Sequence, residues 1–367
     1  MNILVLDPGR QSLSYTLVAA GEGALIKGKL EGYRGGMEGR EILDEIKRDV
    51  QDRAELKNRD LTPDALAIRC AFGGDIFDGP ALVSNETMEK LRMLIRLAPL
   101  HVPAILKLLE AAEKVYPETP AVLVFETSFF MSLPAREKNY ALEAKTARGL
   151  DLIKGGFRGI SHEAAARLAQ LKIKKNDKNE AVKIVSICLD SRTEVAAVMG
   201  GKPIMVTGGA TPLEGLPGDS TCGDMDVGIL VILAQELKWG YEQINRMLTE
   251  ESGLAGYVGK PCKLPEIFEN PKEEYKLAKD IMLYKILQTC GAAAAVMGNI
   301  DGIIFSGKYK NIGNVIGPLI VNKLSFLKRA KNEEPLKWLV MEETMQESTA
   351  QIAAAKVMKN RKAVKAM

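Results

Sequence analysis

Two aspartates follow short apolar runs in the two halves of the chain, and both could take part in phosphate chemistry. Asp7 ends an apolar run at residues 3–6, and Asp190 ends another at residues 183–189. A carboxylate at the end of a buried strand faces the crevice in which α/β proteins bind ligands. A duplicated pair of this kind suits a nucleotide and Mg²⁺ held between two domains. For each aspartate taken alone, a simple turn former is the alternative interpretation.

The elements that must position these aspartates occur twice in the same order. Residues 3–6 are predicted to form a strand, followed by a hairpin made of residues 12–19 and 24–30. In the second half, residues 183–189 form the strand, and residues 194–199 and 203–206 form the hairpin. The repeated order of strand, aspartate and hairpin predicts two α/β domains of common ancestry.

Further elements are predicted between the two aspartates. Apolar residues at helical spacing predict helices over residues 37–56, 88–97 and 102–115, and apolar runs predict buried strands over residues 65–72 and 121–125. The polar stretch at residues 172–180 is predicted to be a solvated loop before the second domain. Strands therefore alternate with helices, as they do in an α/β fold.

Composition excludes several classes of function. The chain has 367 residues, of which 46% are hydrophobic and 26% charged, and its formal net charge is +3. That length suggests about two domains. The small net charge and an aromatic content of 5% argue against nucleic acid as the main partner. The basic residues of the C-terminal tail are interpreted as the solvated face of a helix; they are Lys356, Lys359, Arg361, Lys362 and Lys365.

The cysteines and the N-terminus bear on location. Five cysteines occur without a CxxC pair, which indicates a reduced, cytoplasmic protein. The N-terminus reads as a strand rather than a signal peptide. No apolar run approaches the roughly 20 residues that span a membrane, and the longest candidate, at residues 227–234, is far shorter. We therefore expect no membrane partner.

Eight segments, taken in order, resemble the acetate kinase family, which comprises acetate, propionate and butyrate kinases. They are LVLDPGRQSLSY, RCAFGGDIF, LAPLHVPAIL, VFETSFFMSLP, GGFRGISH, ATPLEGLPGDSTCGDMD, SGLAGYVG and DGIIFSG. The resemblance implies two duplicated ribonuclease H-like domains of the sugar kinase, heat-shock protein 70 and actin superfamily, with a cleft between them. It implies a first domain of residues 1–130 plus 345–367, a second domain of residues 131–344, and a homodimer built mainly from second-domain surface.

The implied reaction transfers the γ-phosphoryl group of ATP to a short-chain carboxylate, or runs in reverse from ADP and an acyl phosphate. The resemblance assigns catalytic positions to Arg69, His101, Glu126 and Arg158. Arg158 stands where the family has a histidine at the γ-phosphoryl group, and Thr221 stands where the family has a second arginine. Because Arg158 and Arg69 would repel each other near one point, an anion or a carboxylate such as Asp7 or Glu126 must lie between them.

Binding positions follow from the same resemblance. The acyl pocket maps onto Ala71, Leu100, Phe157 and Pro212, with Ala71 in place of the usual valine. Asp7 replaces a family asparagine and Glu126 a family aspartate, so both still offer oxygen ligands to Mg²⁺. The family's C-terminal metal glutamate falls at Glu343.

The nucleotide positions differ most from the family pattern. The phosphate loop is glycine-rich in the family but contains Asp190, Ser191 and Arg192 here, and Asp190 and Glu194 would face phosphate with like charge. The adenosine loop retains Gly307 and Asn311, with Lys308 between them. Two hypotheses follow. The chain is a phosphotransferase on a small acid, or it is a catalytically degenerate relative that binds a small acid or a nucleotide and acts as a sensor or regulator.

Overall fold

The computed structural model describes residues 1–9, 12–32, 39–98, 101–173, 180–325 and 335–365. The chain divides into two compact units. Unit 1 comprises Met1–Met131 together with the segment that begins at Glu343, and unit 2 comprises Ser132–Glu342. Most of the loop predicted at residues 172–180 lies outside the described residues.

Unit 1 contains a mixed six-stranded sheet. Its strands in chain order are β1 (Asn2–Pro8), β2 (Ser12–Ala19), β3 (Gly23–Glu31), β4 (Ala65–Cys70), β5 (Ala81–Leu82) and β6 (Ala121–Phe125). They are arranged as β3-β2-β1-β4-β6-β5. The predicted hairpin pairs antiparallel with β1, whereas β1, β4 and β6 run parallel. The parallel strands are almost wholly apolar because helices and loops bury both of their faces.

The helices of unit 1 are α1 (Gly39–Leu56), α2 (Asn85–Met93) and α3 (Val102–Val115). The α2 helix begins earlier than the predicted residue 88, because the Ser84 side chain accepts a hydrogen bond from the Thr87 N–H and caps the first turn. It ends at Met93 and continues as one 3₁₀ turn, Leu94–Arg96. The C-terminal helix packs on β1, β4 and β6.

Unit 2 repeats the same sheet pattern with one strand fewer. Its strands are β7 (Lys183–Cys188), β8 (Glu194–Met199), β9 (Lys202–Val206), β10 (Gly302–Ser306) and β11 (Lys337–Val340), in the order β11-β10-β7-β8-β9. An antiparallel hairpin again follows the first strand, and parallel strands lie on its other side. The shared topology confirms the predicted duplicated α/β fold.

The remaining helices complete the chain. They are α4 (Ala135–Lys138), α5 (Ala144–Gly149), α6 (Gly159–Lys172), α7 (Gly228–Glu236), α8 (Tyr241–Glu250), α9 (Gly253–Val258), α10 (Glu266–Glu269), α11 (Glu273–Met297), α12 (Gly313–Lys323) and the C-terminal α13 (Met345–Lys365). The α11 helix carries Met282, Ile286 and Cys290 into the core of unit 2 at four-residue spacing. None of the helices in the described residues is long and apolar enough to span a bilayer.

Candidate functional site

In unit 1, an arginine lies between two carboxylates at the C-terminal ends of three parallel strands. Asp7 lies near the end of β1, Arg69 lies near the end of β4, and Glu126 directly follows β6. These three strands are parallel neighbours, so the side chains that end them meet. Arg69 Nε donates to Asp7 Oδ1 at 2.5 Å, and Arg69 Nη1 donates to Glu126 Oε1 at 3.1 Å.

Electrostatics hold this cluster in its charged form. Burial by itself lowers the pKa of the Arg69 guanidinium, but the carboxylates of Asp7 and Glu126 outweigh it and raise that pKa above its ordinary value. The Glu126 side chain is almost fully enclosed, at 2% exposure, and the backbone N–H of Glu126 donates to the Cys70 carbonyl. Asp7 and Glu126 thus bring carboxylate oxygens close together, and such oxygens are the ligands that a hard cation binds.

The donor atoms of this cluster fit magnesium rather than a metal with an all-protein cage. Mg²⁺ usually takes one or two carboxylates and completes its shell with water and phosphate oxygens, and Asp7 and Glu126 supply two carboxylates. Within the described ranges, no group of three or more His, Cys, Asp or Glu side chains has the geometry of a metal site. The Glu343 carboxylate accepts hydrogen bonds from Ser348 and Gln351, while Gln346 Nε2 lies 3.4 Å from Asp7 Oδ2.

Of the other residues predicted in unit 1, the structure describes Ala71 and His101. Ala71 follows β4 directly and is half-buried. His101 is exposed and occupies the N-cap position of α3, where helix N–H groups favour anions. Leu100 lies outside the described residues.

In unit 2, a buried carboxylate caps the helix that carries the predicted catalytic arginine. Glu194 at the start of β8 accepts hydrogen bonds from the N–H groups of Phe157 and Arg158, both at 2.9 Å. Arg158 is the N-cap residue of α6, so this carboxylate compensates the positive end of the helix. His162 Nε2 lies 3.4 Å from the same carboxylate, and His162 Nδ1 is 2.7 Å from Ser186 Oγ.

The aspartate of the predicted phosphate loop lies close to two cations. Asp190 Oδ1 is 3.7 Å from Arg158 Nη2 and 3.8 Å from Lys308 Nζ, and it accepts a hydrogen bond from the Ser191 N–H. Burial raises the pKa of Asp190, but Arg158, the Ser191 N–H and Lys308 together hold it below its ordinary value. Asp190 is therefore an internal anion where the sequence predicts phosphate oxygens. The sequence analysis expected Asp7 or Glu126 to lie between Arg69 and Arg158. In unit 1 both of these carboxylates contact Arg69.

The glycine of the predicted adenosine loop, Gly307, has a backbone conformation that other residues rarely adopt. Gly307 has a φ of 88°, and a Cβ added there would lie 2.4 Å from the Leu189 carbonyl oxygen. Next to it, the Lys308 ammonium lies 4.5 Å from the Tyr309 ring centroid. Tyr309 Oη donates to Asp219 Oδ2 at 3.1 Å, and Asn311 is exposed in a short 3₁₀ turn.

An open cavity of about 660 Å³ lies beside this loop in unit 2. Asp219 lines it, as do Lys260, Cys262 and Lys263. Its size is that of a small-molecule site. The sequence analysis assigned no role to these residues because they carry no pattern of their own, although Asp219 lies in the ATPLEGLPGDSTCGDMD segment and the other three directly follow SGLAGYVG.

The residues of unit 2 that were predicted to form the acyl pocket lie together. Phe157 and Pro212 line one small cavity. The Arg192 guanidinium lies 5.9 Å from the Phe157 ring centroid and donates to the Pro212 carbonyl. Thr221 is half-buried in a turn, where its carbonyl accepts the Gly218 N–H.

The two sheets share one strand order, and charged residues lie where the parallel strands of each sheet end. This arrangement is a duplicated ribonuclease H-like fold of the sugar kinase, heat-shock protein 70 and actin superfamily. Residues 11–363 match the Acetokinase family, and the chain belongs to that family. The chain is 31% identical to an acetate kinase of Clostridium novyi (strain NT), over 95% of this chain and 92% of the relative. It is 33% identical to an acetate kinase of Clostridium botulinum (strain Alaska E43 / Type E3), over 83% of each chain.

Solved structures agree with this assignment. The Porphyromonas gingivalis acetate kinase superposes with a TM-score of 0.84 at 26% identity, covering 95% of this chain and 98% of that chain. A propionate kinase from Francisella tularensis shares the fold, with a TM-score of 0.79 at 22% identity, covering 96% and 98%.

Proposed function

We propose that this protein transfers a phosphoryl group between a nucleotide and a short-chain carboxylic acid, forming or consuming an acyl phosphate. The observation that carries the proposal is Arg69, held between the carboxylates of Asp7 and Glu126 at the ends of three parallel strands. A planar guanidinium fixed in this way can bind a carboxylate or phosphate through two parallel hydrogen bonds. Membership of the Acetokinase family supports the same reaction.

In this proposal the protein mainly positions and neutralises its substrates. Arg69 and Arg158 supply positive charge to the transferring phosphoryl group, and His101 contacts phosphate from the N-terminus of α3. Asp7 and Glu126 would hold Mg²⁺, which when bound offsets the charge of the nucleotide phosphates. Glu343 is proposed only to support this set, because its carboxylate is engaged by Ser348 and Gln351.

Unit 2 would receive the nucleotide, either ATP or ADP. The cavity of about 660 Å³ is large enough for a nucleoside and lies beside the loop of Gly307, Lys308 and Asn311. Lys260 and Lys263 line the cavity together with four carboxylates, Asp219, Glu250, Glu251 and Glu266, so this lining suits an uncharged nucleoside better than a phosphate group. The phosphate loop of Asp190, Ser191 and Arg192 is the part that departs most from this role.

The test is acyl phosphate formation from ATP, Mg²⁺ and acetate, propionate or butyrate, trapped with hydroxylamine. We expect turnover by the natural sequence and a loss of about 10³-fold or more in Arg69→Ala, because a phosphoryl-binding arginine contributes rates of that order. Arg53→Ala is the matched control, since Arg53 forms an exposed pair with Asp49 in the same unit. Equal effects of the two substitutions would refute the role of Arg69.

A second candidate function is a catalytically inactive relative that binds a small acid or nucleotide as a regulator. The position of Asp190 beside both Arg158 and Lys308 favours it, as does Thr221 in place of a guanidinium. Calorimetry with Mg·ATP, ADP and inorganic pyrophosphate separates the two candidates. Binding without acyl phosphate formation would support the regulator, and turnover would exclude it.

We further propose a homodimer formed through unit 2. Helix α7 and its flanks expose an apolar surface that includes Val227, Val231, Ile232 and Leu237. A contiguous apolar surface of this kind marks an interaction site. Alanine-rich α11 residues such as Ala293 and Ala294 are instead buried in the core of unit 2. Light scattering should give a dimer mass, which Ile232→Glu reduces to a monomer and Leu56→Glu, on an exposed residue of unit 1, does not.

A further inference from the structure

A buried carboxylate in unit 2 holds the start of the helix that carries Arg158. Glu194 is an acidic residue at the beginning of β8, yet it is only 5% exposed. Its Oε2 accepts the Phe157 N–H at 2.9 Å, and its Oε1 accepts the Arg158 N–H at 2.9 Å. Burying a carboxylate is costly unless hydrogen bonds compensate it, so these two bonds fix the carboxylate and the backbone at residues 157–158 together.

The other side of this carboxylate is packed as well. His162 Nε2 lies 3.4 Å from Glu194 Oε1, and His162 Nδ1 lies 2.7 Å from Ser186 Oγ. The side chains of His162 and Ser186 are fully buried. The carboxylate is therefore enclosed between the N-terminus of α6 and a buried polar pair, and it has little freedom to move away from either.

A glycine makes the space that the carboxylate occupies. A Cβ added at Gly208 would overlap the Glu194 carboxylate and would lie 3.1 Å from Gly156 Cα. Close by, the Gly155 N–H donates to the Gly209 carbonyl at 3.1 Å, so the two glycine segments are in backbone contact. The nearest atom to a Cβ added at Gly155 lies 3.9 Å away, which is an ordinary contact. A methyl group at Gly208 would thus press directly on Glu194, whereas one at Gly155 would be tolerated.

Arg158 is held at both of its ends. Its backbone N–H is bound by Glu194, and its guanidinium Nη2 lies 3.7 Å from Asp190 Oδ1 in the predicted phosphate loop. The guanidinium therefore lies where the proposed function places a phosphate group. If the backbone at residues 157–158 shifted, this guanidinium would no longer reach the same point. A displacement of about 1 Å at a catalytic group costs on the order of 100-fold in rate.

We propose that Glu194 is a positioning residue for phosphoryl transfer, which fixes the backbone of Arg158 and thereby the guanidinium that binds the transferring phosphoryl group. This inference rests on the proposed function. Each oxygen of Glu194 already accepts a backbone N–H, so the carboxylate acts through these bonds and not by contact with a substrate. Its contribution is to pre-organise a residue that does contact the reacting atoms.

The test uses two variants that disturb this anchor in different ways. Glu194→Gln keeps the size of the side chain but replaces one acceptor oxygen by a donor, and Gly208→Ala presses a methyl group against the unchanged carboxylate. We expect each variant that folds, as judged by circular dichroism, to lower kcat for acyl phosphate formation by about tenfold or more. Glu163→Gln, in a partly exposed pair on the same helix, and Gly155→Ala are the matched controls and should change kcat by less than about twofold.

A double variant separates positioning from a general structural effect. If Glu194 acts through Arg158, Glu194→Gln should lower kcat by less than about twofold once Arg158→Ala is present. An equal loss of kcat in both backgrounds, or an unchanged kcat in Glu194→Gln itself, overturns the inference and leaves the carboxylate phosphotransfer intact.

If no acid is phosphorylated, the phosphotransfer proposal fails, and calorimetry with inorganic pyrophosphate then replaces kcat. Binding that Glu194→Gln weakens by about tenfold or more, but only while Arg158 is present, would still support Glu194 as the residue that positions Arg158 for an anion. Equal weakening with and without Arg158, or no binding to the natural sequence, would refute that role.

Discussion

The carboxylate of Asp190 lies 3.7 Å from the guanidinium of Arg158, although the two residues belong to different loops of unit 2. Lys308 lies 3.8 Å from the same Asp190 oxygen. The Asp190 carboxylate thus occupies the position beside Arg158 and Lys308 that the proposed function assigns to a phosphate group. Two cations held near each other repel unless an anion lies between them, so Asp190 stabilises this cluster and would compete with a phosphate ligand in the proposed nucleotide site.

Replacing Asp190 should therefore strengthen anion binding. We expect Asp190→Asn to bind Mg·ADP at least about tenfold more tightly, which is about 1.4 kcal/mol, because Arg158 and Lys308 would then face the ligand without a competing charge. Titration calorimetry measures the effect. Glu273→Gln, which removes an exposed carboxylate paired with Lys276 away from the proposed nucleotide cavity, is the control and should leave the affinity unchanged. Adding Arg158→Ala to Asp190→Asn should abolish the gain, and an undiminished gain would mean that Arg158 does not contact the anion.

The same ion pair should contribute to stability in a pH-dependent way. The pKa of Asp190 is held below its ordinary value of 3.8 in the folded protein. A carboxylate whose folded-state pKa is depressed stabilises the protein fully above its unfolded pKa, and this contribution disappears as pH falls through the folded pKa. Urea unfolding of the natural sequence and Asp190→Asn should thus differ by a constant free energy at neutral pH. The difference should shrink below pH 3.8. A difference that grew on acidification would have the wrong sign.

The Glu194 carboxylate should contribute to the stability of the folded protein as well as lying beside the predicted phosphate loop. Glu194→Ala leaves the N–H groups of Phe157 and Arg158 without their acceptor at the start of α6. We expect a loss of about 2–3 kcal/mol in the free energy of unfolding. Glu163→Ala, in the same helix, removes a partly exposed pair with Arg167 and should cost about 0.5 kcal/mol. Similar losses for the two substitutions would show that the Glu194 hydrogen bonds contribute little.

Two glycines separate backbone strain from steric overlap. Gly298 and Gly307 both have a positive φ, at 77° and 88°. A Cβ at Gly298 meets nothing within 4 Å, whereas a Cβ at Gly307 would lie 2.4 Å from a carbonyl oxygen. We expect Gly298→Ala to cost about 1 kcal/mol, and Gly307→Ala to cost at least about 2 kcal/mol and to weaken nucleotide binding. Chemical denaturation and calorimetry check both. Equal costs would show that the loop shifts away from the added methyl group.

The sequence correctly predicted the strands and hairpins that short stretches of neighbouring residues specify. The strands that precede Asp7 and Asp190 were predicted because apolar runs end there at an acidic residue, and the two hairpins because turns separate alternating strands. The short strand β11 was missed, since its four residues are only partly buried and carry no clear alternation. Arg69 was found through its motif, but its two carboxylate partners follow from the parallel order of β1, β4 and β6, which one sequence does not reveal.

The contacts within the candidate site were less predictable where one side chain could bind any of several partners. Glu194 was expected to face phosphate oxygens. The structure instead directs its carboxylate to the N-terminus of α6, where two N–H groups stabilise the charge. The approach of Lys308 to Asp190 joins segments far apart in sequence, and only the pairing of β7 with β10 brings them together. Thr193 Oγ1 is buried without a hydrogen-bond partner among the described residues, and nothing in the sequence predicts this.

The position of the C-terminal helix constrains the order in which the protein is made and folds. Unit 2 is one uninterrupted stretch of chain, whereas unit 1 is covered by α13, which packs on β1, β4 and β6. During translation the first sheet emerges well before the helix that buries its face, so unit 2 can close its core while unit 1 still waits for its last element. The nascent first sheet must therefore be shielded from aggregation until α13 has been synthesised.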